Sequence, residues 1–207
     1  MANWAYLTCS EFERIYPSFE NPSYIPGDHT ILQSAGCIPL LWWFMLAPED
    51  LHTAEFTSQG QTFEETAPLV RTETAMERLH SRRDLINNWY RKNGGLESHF
   101  DLFVNRLARN RGKFISVEWQ EIVWMNPREL FFEGVRETLS LLESRDLGAK
   151  KGLKLFSDVV ETQSFFRSRR FLTLKEVKAL RGPPQDDYWN FYRIMGEVRL
   201  GTTPWGQ

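Results

Sequence analysis

The sequence predicts an α+β domain that is mainly helical, with a helical layer packed on a small sheet of few strands. Apolar residues at helical spacing recur through the middle of the 207-residue chain, whereas only residues 4–7 and 113–119 have the pattern of strands. A composition of 42% hydrophobic and 25% charged residues is that of a globular protein and excludes collagen-like, coiled-coil and wholly disordered chains. The length suits one domain, residues 1–207, with a loose tail from about residue 200.

The first part of the chain predicts one strand and short helical segments. The aromatic and aliphatic run at 4–7 predicts the strand. Pro39 and the apolar run 40–46 predict a short helix that is buried on every side. Pro48 is followed by two acids, as in the first turn of a further helix, and Gly60 marks a loop.

Two long helices that form a hairpin are predicted next. Thr66 and Pro68 suit the cap and first turn of a helix, and an apolar stripe continues over 69–89. The Asn-Gly-Gly sequence at 93–95 ends this helix, and residues 96–107 repeat the apolar spacing in a second one.

A second strand and three helices are predicted after the hairpin. Residues 113–119 place apolar side chains on alternate positions, which is typical of a strand. The Asn-Pro-Arg-Glu sequence at 126–129 is the clearest helix start in the chain, for a helix that continues to about Glu143. A capping box at 173–176 and a possible cap at Asp187 predict two more helices.

Charge is distributed in blocks, although the net charge is only −2. Residues 1–81 contain 11 acidic and 3 basic side chains and no lysine, whereas residues 150–181 contain 9 basic and 3 acidic ones. Such asymmetry can steer a charged partner to one side of a fold, and an ordinary solvated surface is the alternative interpretation. In the acidic part, the candidate partner-binding residues are Glu49, Asp50, Glu55, Glu64 and Glu65.

No motif predicts catalysis, a metal or a cofactor. The glycines at 93–95 join two helices and lack the Lys-Ser/Thr pair of a phosphate loop, the four histidines lack ligand spacing, and Gly-x-Ser-x-Gly is missing. We therefore expect a protein that is not an enzyme and has no metal or cofactor. An enzyme whose site is assembled from scattered acids and histidines is a further hypothesis.

The sequence also predicts a cytoplasmic location. Cys9 and Cys37 are too few for a disulfide framework, which favours a reducing compartment. The N-terminus lacks the pattern of a secretory signal, and the most apolar run, 37–47, is about half the roughly 20 residues that a membrane-spanning helix needs. We expect no contact with a membrane.

The basic segment 150–181 suggests an alternative function, a nucleic-acid-associated regulator. Its lysines and arginines lie among phenylalanines, a mixture that nucleic-acid-binding proteins use. The isoelectric point of about 6.1 argues against a dedicated binder of polyanions, so nucleic acid is the less favoured partner.

Three short segments carry a resemblance to a known family: MANWAYL at 1–7, IPL at 38–40 and MERL at 76–79. They resemble an uncharacterised bacterial family that opens Met-Ala-Asn-x-x-Tyr-Leu and has a similar Ile-Pro-Leu helix, with Trp4-Ala5 here in place of Arg-Ser. The resemblance implies an immunity protein that neutralises a cognate toxin by occluding its active site. The acidic residues would then face the basic cleft of a toxin such as a nuclease. The oligomeric state and the toxin's chemistry are left open.

Overall fold

The structure, a computed structural model, describes residues 4–15, 29–35, 37–58, 60–90, 96–124, 126–144, 155–156, 171–172 and 194–197. Within these residues a five-stranded sheet is packed against helices. The strands are β1 (Trp4–Ser10), β2 (His29–Ala35), β3 (Leu51–Ser58), β4 (Gln61–Arg71) and β5 (Phe114–Glu118). Their order across the sheet is β2-β1-β5-β4-β3, and every neighbouring pair is antiparallel.

The helices lie between and after these strands. They are α1 (Leu40–Trp43), α2 (Thr72–Ser81), α3 (Arg83–Tyr90), α4 (Glu97–Ala108), α5 (Gln120–Trp124) and α6 (Arg128–Ser144), with a 3-10 turn at Pro48–Asp50. Two further strands, β6 (Leu155–Phe156) and β7 (Phe171–Leu172), pair with each other in a separate two-stranded sheet.

The predicted mainly helical domain is wrong, because helix and strand are nearly balanced. Helix accounts for roughly half and strand for about a third of the described residues, so the fold is an α+β structure with a substantial sheet. The strands at β1 and β5 and the helices α1, α4 and α6 match the sequence-based expectations. The error comes from β2, where no strand is predicted, and from residues 51–71, which form β3 and β4 although local signals predict helix starts and a loop there.

Local signals misled the interpretation of that region. Pro48 and the two acids behind it produce only a 3-10 turn, and Thr66 and Pro68 lie inside β4 rather than at a helix start. A proline or a cap residue is a short-range signal, whereas pairing in a hairpin is decided by contacts across the strands. Gly60, in the turn of this hairpin, has φ +76°, a conformation that glycine adopts without a Cβ penalty.

The long helix predicted over 69–89 is two helices that begin at Thr72. Thr72 is held at the start of β5, since its backbone N donates to Lys113 O at 2.9 Å and its Oγ1 donates to Gly112 O at 2.6 Å. The break between α2 and α3 falls at Arg82, a buried arginine. Its guanidinium donates to Phe44 O (3.0 Å) and Leu46 O (2.6 Å).

One face of the sheet carries the main core. Tryptophans 42, 43 and 119 are fully buried there, with ring centroids of Trp43 and Trp119 5.9 Å apart. Two of the buried indole N–H groups donate hydrogen bonds to backbone carbonyls. Trp42 Nε1 donates to Met195 O at 2.9 Å, and Trp119 Nε1 donates to Thr66 O at 2.8 Å. Much of the aromatic content of the described chain therefore stabilises the core.

The opposite face of the sheet is different in composition. Toward β4 it carries a small apolar cluster, which Ala54 and Phe56 of β3 help to cover; its members are Ile15, Ala67, Leu69 and Phe114. Between β1 and β5 it carries the buried polar residues Thr8, Ser116 and Glu118.

Several predictions fall outside the described residues. They are the capping box at 173–176, the helix start at Asp187 and the tail from about 200. Of the last predicted helix, only Ile194 and Met195 are described, and both are helical.

Candidate functional site

The five predicted partner-binding acids differ in accessibility. Glu49, Glu55 and Glu64 are exposed, whereas Asp50 and Glu65 are buried. A partner that docks on the folded protein therefore reaches the first three, and the two buried acids serve the fold.

Asp50 shapes the segment that leads into β3. Its Oδ2 accepts a hydrogen bond from Ala47 N at 2.7 Å and forms an ion pair with Arg78 Nη1 at 2.5 Å. The other terminal nitrogen of Arg78, Nη2, forms an ion pair with Glu49 Oε1 at 2.6 Å. Burial raises the pKa of Asp50, and the Ala47 N–H and the Arg78 charge oppose this shift. Arg78 thus ties the 3-10 turn to α2 and neutralises part of its negative charge.

The hairpin of β3 and β4, which we call the acidic hairpin, presents two facing carboxylates. Glu55 lies directly opposite Glu64 in the register. Hydroxyl pairs flank them on either side, Thr53 with Thr66 at 2.9 Å and Thr57 with Thr62 at 3.2 Å. Like charges in opposite positions of a strand pair repel each other. The two carboxylates together give this surface a negative potential.

Arg128 connects the acidic hairpin to α6. Its Nη2 lies 3.6 Å from Glu64 Oε1, and its guanidinium lies 5.4 Å from the ring centroid of Phe132. Glu55 forms no ion pair with any residue in the described part of the chain. A cation from outside would therefore find its carboxylate available.

The corner between α5 and α6 exposes two large apolar side chains. Trp124 ends α5 with 66% of its surface exposed, and Leu130 lies in the first turn of α6, also exposed. We call these two residues the apolar corner. Exposed tryptophan next to polar and charged residues is the composition of protein interfaces. Sequence reasoning missed Trp124, because the exposure of its indole follows from the end of α5, a helix that the sequence analysis does not predict.

A second group of acids is buried on the polar face of the sheet. The pKa of Glu118 is raised to about 8, mainly by burial and also by the nearby charges of Glu121 and Glu65, while the hydrogen bond from Gln120 N at 2.9 Å opposes the shift. Glu121 Oε2 itself accepts a hydrogen bond from Trp4 N at 2.8 Å. Glu118 therefore holds a proton at neutral pH, but with 6% of its surface exposed it contributes to packing rather than to a partner-binding face.

The cysteines and histidines do not converge. Cys9 and Cys37 are both buried thiols, and Cys37 Sγ lies 3.3 Å from Ser34 Oγ. His99 is buried, which lowers its pKa, whereas His80 contacts the ring edge of Phe100 at a centroid distance of 6.4 Å. Among the described residues, no group of three or more histidine, cysteine, aspartate and glutamate side chains is arranged to hold a metal ion.

The basic segment 150–181 lies outside the described residues except for Leu155–Phe156 and Phe171–Leu172. The nucleic-acid hypothesis that rests on it stays a prediction. In the part of the chain that the structure describes, no helix combines the length and the apolar composition that crossing a membrane requires.

Comparison of the chain with protein-family models, with curated proteins and with solved structures finds no match.

Proposed function

We propose that this chain is a non-enzymatic, cytoplasmic bacterial binding protein, an immunity protein that neutralises a cognate toxin by occluding the toxin's active site. The observation that carries the proposal is the exposed indole of Trp124, which ends α5 four residues before Arg128, the residue that contacts Glu64 of the acidic hairpin. The resemblance of residues 1–7, 38–40 and 76–79 to the bacterial family described above supports the same function.

Trp124 supplies the apolar anchor that such an interface needs. The three tryptophans of the core are fully buried, whereas Trp124 leaves two thirds of its surface exposed to solvent. Transfer of an indole from water into a partner's pocket is among the largest single contributions to protein association. Leu130 extends the same apolar corner.

The acidic hairpin supplies the electrostatic part. Glu49 and Glu64 are partly neutralised by Arg78 and Arg128, and Glu55 is not. A toxin that acts on nucleic acid has a basic cleft, because it must bind phosphates. An acidic surface complementary to that cleft accelerates association and competes with the substrate for the same cations.

The surface is held in place before binding. Arg128 bridges the acidic hairpin and α6, and α6 also packs against the 3-10 turn. At its other end α6 is fixed by the ion pair between Glu143 Oε2 and buried Arg82 Nη2 at 2.7 Å. A preorganised surface loses little conformational entropy on binding, which favours affinity.

The direct test is coexpression with the toxin-like product of the reading frame that adjoins this gene. We expect host survival to depend on the protein, and the two purified chains to form a stoichiometric complex in which toxin activity is lost. A toxin that kills equally well in the presence of the folded protein, with no complex in size-exclusion chromatography, contradicts the proposal.

Trp124→Ala identifies the surface that is used. We expect binding to weaken by about 2 kcal/mol, roughly 30-fold in Kd, because an anchor is lost from the interface. The thermal midpoint of unfolding stays near that of the unmodified protein, since the indole is solvated. Leu102→Ala, which removes a 45% exposed apolar side chain from α4, is the matched control and leaves Kd unchanged. Equal Kd values for the Trp124 variant and the parent protein would exclude the apolar corner from the interface.

A further inference from the structure

The two edges of the five-stranded sheet differ in the backbone hydrogen bonds that other described residues make with them. At the β2 edge, Gln33 exchanges two backbone hydrogen bonds with Glu197, both 2.8 Å, and its Nε2 donates to Glu197 Oε1 at 3.1 Å. At the opposite edge, β3 pairs with β4 and, apart from the bond from Leu51 N to Pro48 O, makes no other backbone hydrogen bond with a described residue. Among the described residues, the β2 edge is therefore paired at Gln33, whereas the β3 edge is open.

The open edge is long and regular. The eight residues of β3 extend over roughly 27 Å at the usual rise per residue. The register runs without a bulge from Leu51 opposite Pro68 to Ser58 opposite Gln61. β4 pairs with β5 only over Leu69, Val70 and Arg71, so the rest of the acidic hairpin projects beyond β5 as a two-stranded ribbon.

Apart from the charge of Glu55, β3 lacks the devices that usually protect an edge strand. It contains no proline and no lysine, and proteins commonly use these residues or a bulge to prevent an additional strand from pairing. The exposed charge at its centre is Glu55, which already faces Glu64 across the hairpin. A second copy of this chain would bring another Glu55 to the edge and increase the repulsion, so self-pairing is disfavoured.

We propose that the outer edge of β3 accepts an extended, basic segment of a partner protein as an additional strand. This inference rests on the proposed binding function and names the partner's chemistry. A lysine or arginine opposite Glu55 would offset the repulsion between Glu55 and Glu64. Side chains on the other face of the added strand would lie beside Ala54 and Phe56, which are half-buried on the apolar cluster, so the segment alternates basic and apolar residues.

The test uses an eight-residue peptide that alternates lysine and valine, titrated into the full-length protein and followed by amide chemical shifts in NMR. We expect the largest shifts at Leu51–Ser58. The same peptide with all backbone amides methylated should bind at least about tenfold more weakly, because it can no longer donate hydrogen bonds to the edge.

Charge reversal supplies the specificity test. Glu55→Lys should weaken binding of the lysine-valine peptide and create binding of a glutamate-valine peptide, whereas Glu77→Lys, at an exposed acid on α2, should do neither. Shifts confined to other strands or helices, equal affinity for the methylated peptide, or no binding at all would overturn the proposal. These measurements need no toxin: if they fail while the toxin complex forms, the binding function stands with a different docking face, and absence of a toxin complex overturns the function itself.

Discussion

Where β1 pairs with β5, the two faces of the sheet are both buried, yet they are built from opposite kinds of residue. On one face Leu7 lies opposite Val117, in contact with the tryptophan-rich core. On the other face the neighbouring pair is Thr8 and Ser116, with Glu118 one position further along the same side. Because successive residues of a strand point to opposite faces, a single pair of strands separates the two environments.

The difference teaches that burial and apolar stabilisation are separate properties in this protein. The apolar face gains free energy from area removed from water. On the polar face each buried group loses hydration, and only hydrogen bonds or a change of protonation offset that cost. The core face therefore determines how stable the fold is, and the polar face determines how that stability depends on conditions.

The largest expected effect is on the core face, at Trp119. Trp119→Ala removes the contacts with Trp43 and with Phe131, at a centroid distance of 5.6 Å, and the hydrogen bond to Thr66 O. We expect the free energy of unfolding to fall by about 3 to 5 kcal/mol, measured by urea denaturation. Trp124→Ala makes the same change on the surface and should leave it nearly unchanged. Equal losses in the two variants would contradict the burial difference.

An intermediate effect is expected on the polar face, at Glu118, and it depends on pH. The pKa of Glu118 is raised to about 8 from a reference value of 4.5, so between these values the folded state retains a proton that the unfolded state releases. The free energy of unfolding therefore decreases as pH rises through this window, by a few kcal/mol at most.

Glu118→Gln removes that dependence, because the amide stays neutral while it can still accept the hydrogen bond from Gln120 N. Relative to the unmodified protein, the variant should gain stability as the pH of urea denaturation is raised from 5 to 8. Contributions from Asp50 and His99 cancel in this comparison, since both proteins contain them. Glu133→Gln, at an exposed position of α6, should show no such gain. A difference between Glu118→Gln and parent that does not vary with pH would place the pKa of Glu118 near its ordinary value.

The smallest effect is expected for Thr8→Val. The Oγ1 of Thr8 donates to Ser116 O at 3.3 Å, a long hydrogen bond, and valine has nearly the same shape. We expect a change within about 1 kcal/mol. Leu7→Thr, one residue away on the core face, places a hydroxyl among apolar groups and should cost about 2 to 4 kcal/mol in the same urea measurement. A cost for Thr8→Val as large as that for Leu7→Thr would mean that the polar face depends on this hydroxyl.

The sequence predicted the elements whose signals are local. The apolar run 40–46, the spacing over 96–107 and the helix start at 126–129 each produce the expected helix, because apolar periodicity and the first-turn residues act within a few positions. The strands at β1 and β5 were also found, since aromatic and β-branched residues favour extended backbone.

The sequence by itself thus determined the core-forming helices and the two central strands, together with the acidic character of the first 81 residues. Only the tertiary structure decided that residues 51–71 join the sheet, because β4 pairs with residues of β5 that are more than 40 positions away in the chain. It also decided which acids are accessible: Glu64 and Glu65 are adjacent in the chain, yet alternation along β4 exposes one and buries the other beside Glu118. Exposure of Trp124 has the same origin, since the partners that an indole can pack against are brought together by the fold and not by its neighbours in sequence.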